Sequence, residues 1–83
     1  MWYVYIAKAR TGRYYVGITE DVTARIKRHN ASRGSRFAIN QGPFCLVYKS
    51  EPFVEKSNAR QREMQIKGWT RDKKEKLING EWD

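Results

Sequence analysis

At 83 residues, with 40% apolar and 13% aromatic side chains, the chain has room for one packed domain and too much apolar material for a disordered tail. Lys and Arg number 17 against 9 acidic residues, a formal net charge of +8 that favours a polyanionic partner through counterion release, nucleic acid first. A single cysteine excludes an internal disulfide and a thiol cluster, and the apolar start Met1 to Ile6 is too short to span a bilayer and lacks a signal-peptide cleavage pattern, so a soluble, cytoplasmic protein is expected.

Aromatic and β-branched residues fill Trp2 to Ala7 and again Tyr14 to Thr19, and the segment between them carries the turn residues Thr11 and Gly12, which predicts a β-hairpin. Alternation sets Val4 and Ile6 on one face and Tyr3 and Tyr5 on the other, and in the second strand it sets Val16 and Ile18 against Tyr15 and Gly17. One face is aliphatic and the other gathers tyrosines. A helix follows a Thr19 or Asp21 cap and runs to about Asn30. On it Val22 and Ile26 lie four apart, and Arg25 and His29 lie four apart on a different flank, so the last two can address one target.

Residues Ala31 to Pro43 read as a long connection rich in Ser, Gly and Asn. The apolar run Phe44-Cys45-Leu46-Val47-Tyr48 is predicted to be a buried third strand, with Cys45 a small core residue. A second helix is expected from about Val54 to Gly68, with Ala59, Glu63 and Ile66 stacked on one side and Arg60 and Lys67 on the adjacent flank. Thr70 caps a short third helix that turns Lys73, Lys74 and Lys76 outward and Leu77 and Ile78 inward, while Trp69 and Trp82 read as packing residues. The expectation is a single α/β (α+β) domain over residues 1–83: a small three-stranded, mostly antiparallel sheet flanked by helices in the order β-β-α-β-α-α.

Phosphodiester hydrolysis needs a cation for charge developing on the phosphate, a base for water and help for the leaving oxygen. Tyr5 and Tyr15 on one hairpin face, Arg25 and His29 on the next helix and Glu63 on a later one offer candidates for each requirement. Singly, each has an ordinary reading: strand tyrosines pack, and a surface Arg, His or Glu is most often solvated or ion-paired.

Together they resemble the GIY-YIG nucleases, whose name-giving segments appear here as Tyr3-Val4-Tyr5 and Tyr15-Val16-Gly17. The segment Ala59-Arg60-Gln61-Arg62-Glu63 is similar to the family's metal-binding glutamate region, and the likeness is strongest to small stand-alone members and to the nuclease domains of the bacterial excision-repair incision subunit and of eukaryotic structure-specific resolvase subunits. It departs from the family pattern at Tyr3, which replaces the first glycine, at Ile18, and at Ala38, where many small relatives have threonine.

The resemblance implies a metal-dependent endonuclease cutting DNA of a preferred shape, linked to repair or recombination, with Tyr5, Tyr15, Arg25, His29 and Glu63 at the site. It further implies one Mg²⁺ or Mn²⁺ held by Glu63, Arg25 on the scissile phosphate, and a tyrosine that positions or deprotonates water, the base being open between Tyr5 and Tyr15. An unperturbed tyrosine ionises at about pH 10, so a base role needs a stabilised phenolate. Arg33, Arg36, Lys67, Arg71, Lys73 and Lys74 are candidates for tracking a nucleic-acid backbone, with Phe37 or Trp69 available to stack on a base. RNA is a further possible substrate, and a protein partner or homodimer could supply targeting. The alternatives are a DNA-binding module without turnover and an interaction subunit that keeps the fold.

Overall fold

A computed structural model describes residues 1–31 and 42–81. The candidate residues Arg33, Arg36 and Phe37, the Ala38 departure and Trp82 lie outside the described residues. Strands β1 (Tyr3–Ala9), β2 (Tyr14–Thr19) and β3 (Phe44–Lys49) form an antiparallel sheet in the order β2-β1-β3. Helices α1 (Val22–Ala31), α2 (Lys56–Lys67) and α3 (Arg71–Ile78) complete the β-β-α-β-α-α order.

The hairpin register pairs Val4 with Ile18, Tyr5 with Gly17, Ile6 with Val16 and Ala7 with Tyr15, so the two faces are those given by alternation. Val4, Ile6 and Ile18 pack on Ala59 and Ile66 of α2 and Leu77 of α3. On the opposite face Tyr5, Ala7 and Ala9 pack with Val22 of α1 and Phe44. The central strand β1 is therefore covered on both sides, and its Val4 to Ala7 segment is buried throughout. Such double coverage by α1 on one face and α2 and α3 on the other is what a continuous apolar run signals.

The same signal misleads for β3. Phe44 is buried, but Cys45 and Leu46 are exposed, so neither the buried strand nor the core role expected of Cys45 is found. The cause is strand order. β3 is an edge strand with β1 as its sheet neighbour among the described residues, and α2 packs mainly over β1 and β2, leaving β3 to α1 and α3. The strand is also irregular, with a register shift opposite Ile6 and Ala7.

Helix ends follow their caps. The Asp21 carboxylate accepts from Ala24 N at 3.0 Å, and the Thr70 hydroxyl accepts from Lys73 N at 3.3 Å. Helix α2 begins at Lys56, two residues later than the helical composition suggests, because Phe53 is drawn into a paired bridge with Trp2. Each backbone N–H of that bridge donates to the other residue's carbonyl at 2.7 Å. At the other end of the sheet Asn30 ties α1 to β3: Phe44 N donates to Asn30 Oδ1 at 2.6 Å and Asn30 Nδ2 donates to Phe44 O at 3.0 Å.

Candidate functional site

Tyr5 sits on the central strand, yet its ring reaches the β2 edge because the residue beside it is Gly17. A Cβ at position 17 would lie 2.6 Å from Tyr5 Oη and 2.8 Å from Cζ. The backbone of Gly17 is not in the left-handed region, so the glycine serves close approach and not a special turn. Gly17 thus acts as a low wall over which the phenol crosses.

Beyond it lies an open cleft of about 270 Å³ lined by Trp2, Gly17, Ile18, Arg25, Lys56, Arg60 and Glu63. Arg25 arrives from the α1 side of the sheet and Glu63 from the α2 side, so the cleft at the β2 edge is lined from both helices. The stack of Ala59, Glu63 and Ile66 is buried as their spacing predicts. The Glu63 side chain is only 6% exposed, and its Oε1 and Oε2 are taken by Arg60 at 3.3 Å and Lys67 at 3.2 Å, both cations more than half exposed.

On the α1 flank Tyr5 Oη and His29 Nε2 are 3.4 Å apart, and Arg25 is near enough to act on the same phenol. Burial pushes the Tyr5 ionisation above its ordinary value near 10; the Arg25 charge and hydrogen bond pull it back, and the Glu63 charge adds to the rise. Tyr5 is accordingly a neutral phenol at physiological pH. His29 moves the other way: burial first, then the positive fields of Arg25 and Arg28, lower it from 6.5. With imidazole neutral and the phenol protonated, Tyr5 Oη donates to Nε2 in the tautomer that carries the ring proton on Nδ1.

The depressed His29 ionisation has a definite sign. Folding favours the neutral ring, so its contribution to stability is full above 6.5 and is lost as pH falls through the folded-state value. Because the chain has one histidine, its Hε1 proton resonance is unambiguous. We expect an NMR titration midpoint below 6.5 that moves upward in Arg25→Ala; a wild-type midpoint at or above 6.5 would contradict the buried, Arg-flanked placement.

Tyr15 shares the Tyr5 face but not the Glu63 cleft. Its ring meets Phe44 edge-on at 5.6 Å, Phe44 in turn lies 5.5 Å from the His29 ring, and Tyr15 borders a separate pocket with Arg13, Tyr14, Arg71 and Lys74. Arg25 and Glu63 thus line one cleft and Tyr5 and His29 lie on its α1 flank, while Tyr15 stands two residues before the cleft's Gly17 on β2.

Of the remaining basic candidates among the described residues, Lys67, Arg71 and Lys73 have intramolecular partners. Lys67 pairs with Glu63, Arg71 Nη1 donates to Gly12 O at 2.8 Å, and the Lys73 ammonium lies 4.7 Å from the Trp69 ring centroid. Trp69 packs against the aliphatic core and also carries Arg62 at 5.0 Å. Lys73 and Lys74 are half-buried, less outward than their helical positions suggest.

Sequence reasoning passed over Trp2, Lys56 and Arg60 as cleft lining and Asn30 as a clamp. Trp2 shares the pleat face of Val4 and so faces the side α2 covers, a signal available from alternation once the α2 face is known. Nothing local marks Asn30, whose partner lies 14 residues on.

One divalent cation is the only group the resemblance calls for. Among the described residues no cluster of three or more His, Cys, Asp or Glu could cage it. Glu63 is the carboxylate that lines the cleft, and a hard cation there would take one oxygen from it in place of Arg60 or Lys67, which are 54% and 55% exposed, and the rest from water and phosphate.

The sequence matches the GIY-YIG catalytic domain family over residues 1–76. It is 43% identical over 76 residues to a UPF0213 protein of Staphylococcus haemolyticus, covering 92% of each chain. A UPF0213 protein of Staphylococcus aureus is 42% identical over the same length, again with 92% of each covered. The solution NMR structure of a UPF0213 protein from Bacillus halodurans superposes with a TM-score of 0.59 at 39% identity, covering 95% of this chain and 84% of that one.

Proposed function

The chain belongs to the GIY-YIG family and has its nuclease fold, and from that premise we propose that it is a metal-dependent endonuclease that hydrolyses DNA phosphodiester bonds at the β2-edge cleft. One observation carries the reading: Arg25 from one side of the sheet and the buried Glu63 carboxylate from the other line a single open cleft, and the Tyr5–His29 pair lies beside it, against the Gly17 that lines it.

In this mechanism Arg25 donates to the non-bridging oxygens of the scissile phosphate, its planar fork matching their geometry. Water is oriented by Tyr5 Oη. As the phenol takes a proton from water it passes its own to His29 Nε2, which the depressed ionisation keeps ready to accept. The relay needs no standing phenolate, which the raised Tyr5 ionisation disfavours. Between the two tyrosines, Tyr5 is therefore the better supported as the residue that handles water. Glu63 would hold Mg²⁺ or Mn²⁺, which supplies Lewis-acid neutralisation of charge on the phosphate and the leaving oxygen when bound. Lys56 and Arg60 at the cleft rim add positive field for the incoming backbone.

Reading backbone charge without base edges, such a site selects DNA by shape, which suits flapped, branched or damaged substrates in repair or recombination. We place this activity in the cytoplasm, consistent with one unpaired thiol and with no helix among the described residues long and apolar enough to cross a membrane. The test is to incubate the protein at low salt with labelled single-stranded, duplex, flap and four-way-junction DNA, with and without Mg²⁺ or Mn²⁺. Products that require the metal are expected. Retained binding with no products under any metal would favour a DNA-binding module instead.

A further inference from the structure

Three cations converge on a second pocket at the same sheet edge, of about 230 Å³, lined by Arg13, Tyr14, Tyr15, Arg71 and Lys74. Arg13 comes from the hairpin turn and Arg71 and Lys74 from the first turn of α3, so the pocket exists only where α3 docks against β2. That docking is specific. Arg71 Nη1 donates to Gly12 O at 2.8 Å, its guanidinium lies 4.4 Å from the Tyr14 ring centroid, and Tyr14 Oη donates to Glu75 Oε2 at 3.0 Å. Arg71 Nε also approaches Glu75 at 3.7 Å, so one carboxylate stands beside three cations and the local excess stays positive. Holding Arg71 in place removes much of the entropy that a surface cation would lose on meeting an anion.

The pocket lies along the edge strand from the cleft. Tyr14 and Tyr15 precede Gly17 and Ile18 by three residues, which at ~3.3 Å per residue is roughly 10 Å. A single nucleic-acid strand laid along β2 would present one phosphate to the Arg25 and Glu63 cleft and a nearby one to this pocket. Tyr15 is a wall of the pocket and also shares the face of Tyr5 and Gly17, so it borders the path between them.

We infer that the Arg13, Arg71 and Lys74 pocket is a second phosphate subsite, which holds a backbone phosphate flanking the scissile one and sets the register of the strand in the cleft. This rests on the nucleic-acid reading above but not on turnover. Tyr15 then acts by shaping the path of the strand, distinct from the water-handling role of Tyr5.

The experiment measures binding alone. Fluorescence anisotropy of labelled single-stranded DNA in EDTA, over a range of salt, would compare wild type, Arg13→Ala/Lys74→Ala and the charge-matched control Lys27→Ala/Lys76→Ala. Each lost phosphate contact lowers the slope of log K against log salt by about 1, so the pocket variant should lose about 1 to 2 from the slope while the control stays near wild type. Equal weakening in both variants would overturn the subsite and leave a diffuse basic surface. As a check that does not depend on the variants folding, ¹⁵N-labelled wild type titrated with the same DNA should show shifts at Gly12, Arg13, Tyr15 and Lys74; shifts that bypass these positions would also overturn it. Because EDTA removes cleavage from the readout, failure of the nuclease reading leaves this result interpretable.

Discussion

Replacing Glu63 by Gln is expected to lower metal-dependent cleavage by at least about 10²- to 10³-fold, the scale on which loss of one pre-aimed electrostatic group acts, while DNA binding is kept. Gln preserves the shape packed between Ala59 and Ile66 and removes only the charge. Arg60 and Lys67, 54% and 55% exposed, then lose their ion-pair partner but recover hydration. A cleft rid of its one carboxylate is more positive, so affinity for DNA should hold or rise. Single-turnover cleavage and anisotropy on the same preparation separate the two effects, with circular dichroism to confirm the fold. Wild-type cleavage by Glu63→Gln would remove Glu63 from the site.

Gly17→Ala should strike both stability and activity. The new methyl would stand 2.6 Å from Tyr5 Oη, 2.8 Å from Cζ and 3.0 Å from Cε1, and the Tyr5 ring, only 5% exposed, has little room to tilt. Overpacking of this kind costs about 1–3 kcal/mol, and tilting the ring pulls the phenol from His29 and Arg25. The clash is pairwise, so a double-mutant cycle isolates it. In a Tyr5→Ala background, Gly17→Ala should cost close to nothing in urea unfolding. An equal cost in both backgrounds would mean that Gly17 serves the backbone and not the phenol.

The hairpin faces, the flank shared by Arg25 and His29 and the buried stack of Ala59, Glu63 and Ile66 were legible because each depends on a local period of two or of three to four residues. Strand order is different in kind. Phe44 to Tyr48 has the composition of a buried strand, and no local pattern reveals that β1 takes the centre and leaves Cys45 and Leu46 in solvent. The same limit hides Asn30, whose side chain serves a strand start across the intervening connection, and the pocket of Arg13 with Lys74, whose walls lie about 60 residues apart in a chain that long-range packing closes. It also hides the occupation of Arg71 by the carbonyl of Gly12, which composition counts simply as positive charge.

Most directly at issue is whether metal and phosphate meet at the β2 edge. Mn²⁺ broadens amide resonances near it, and DNA carrying a non-hydrolysable backbone would hold the complex intact during an NMR titration of ¹⁵N-labelled protein. Broadening should appear first at Gly17, Ile18, Arg25 and Glu63 and be lost in Glu63→Gln. Elsewhere on the described surface Asp72, Glu75 and Glu81 border one pocket without forming a cage, and they serve as the comparison for unspecific Mn²⁺ attraction. Broadening centred there, with the cleft resonances untouched, would contradict a catalytic cation on Glu63.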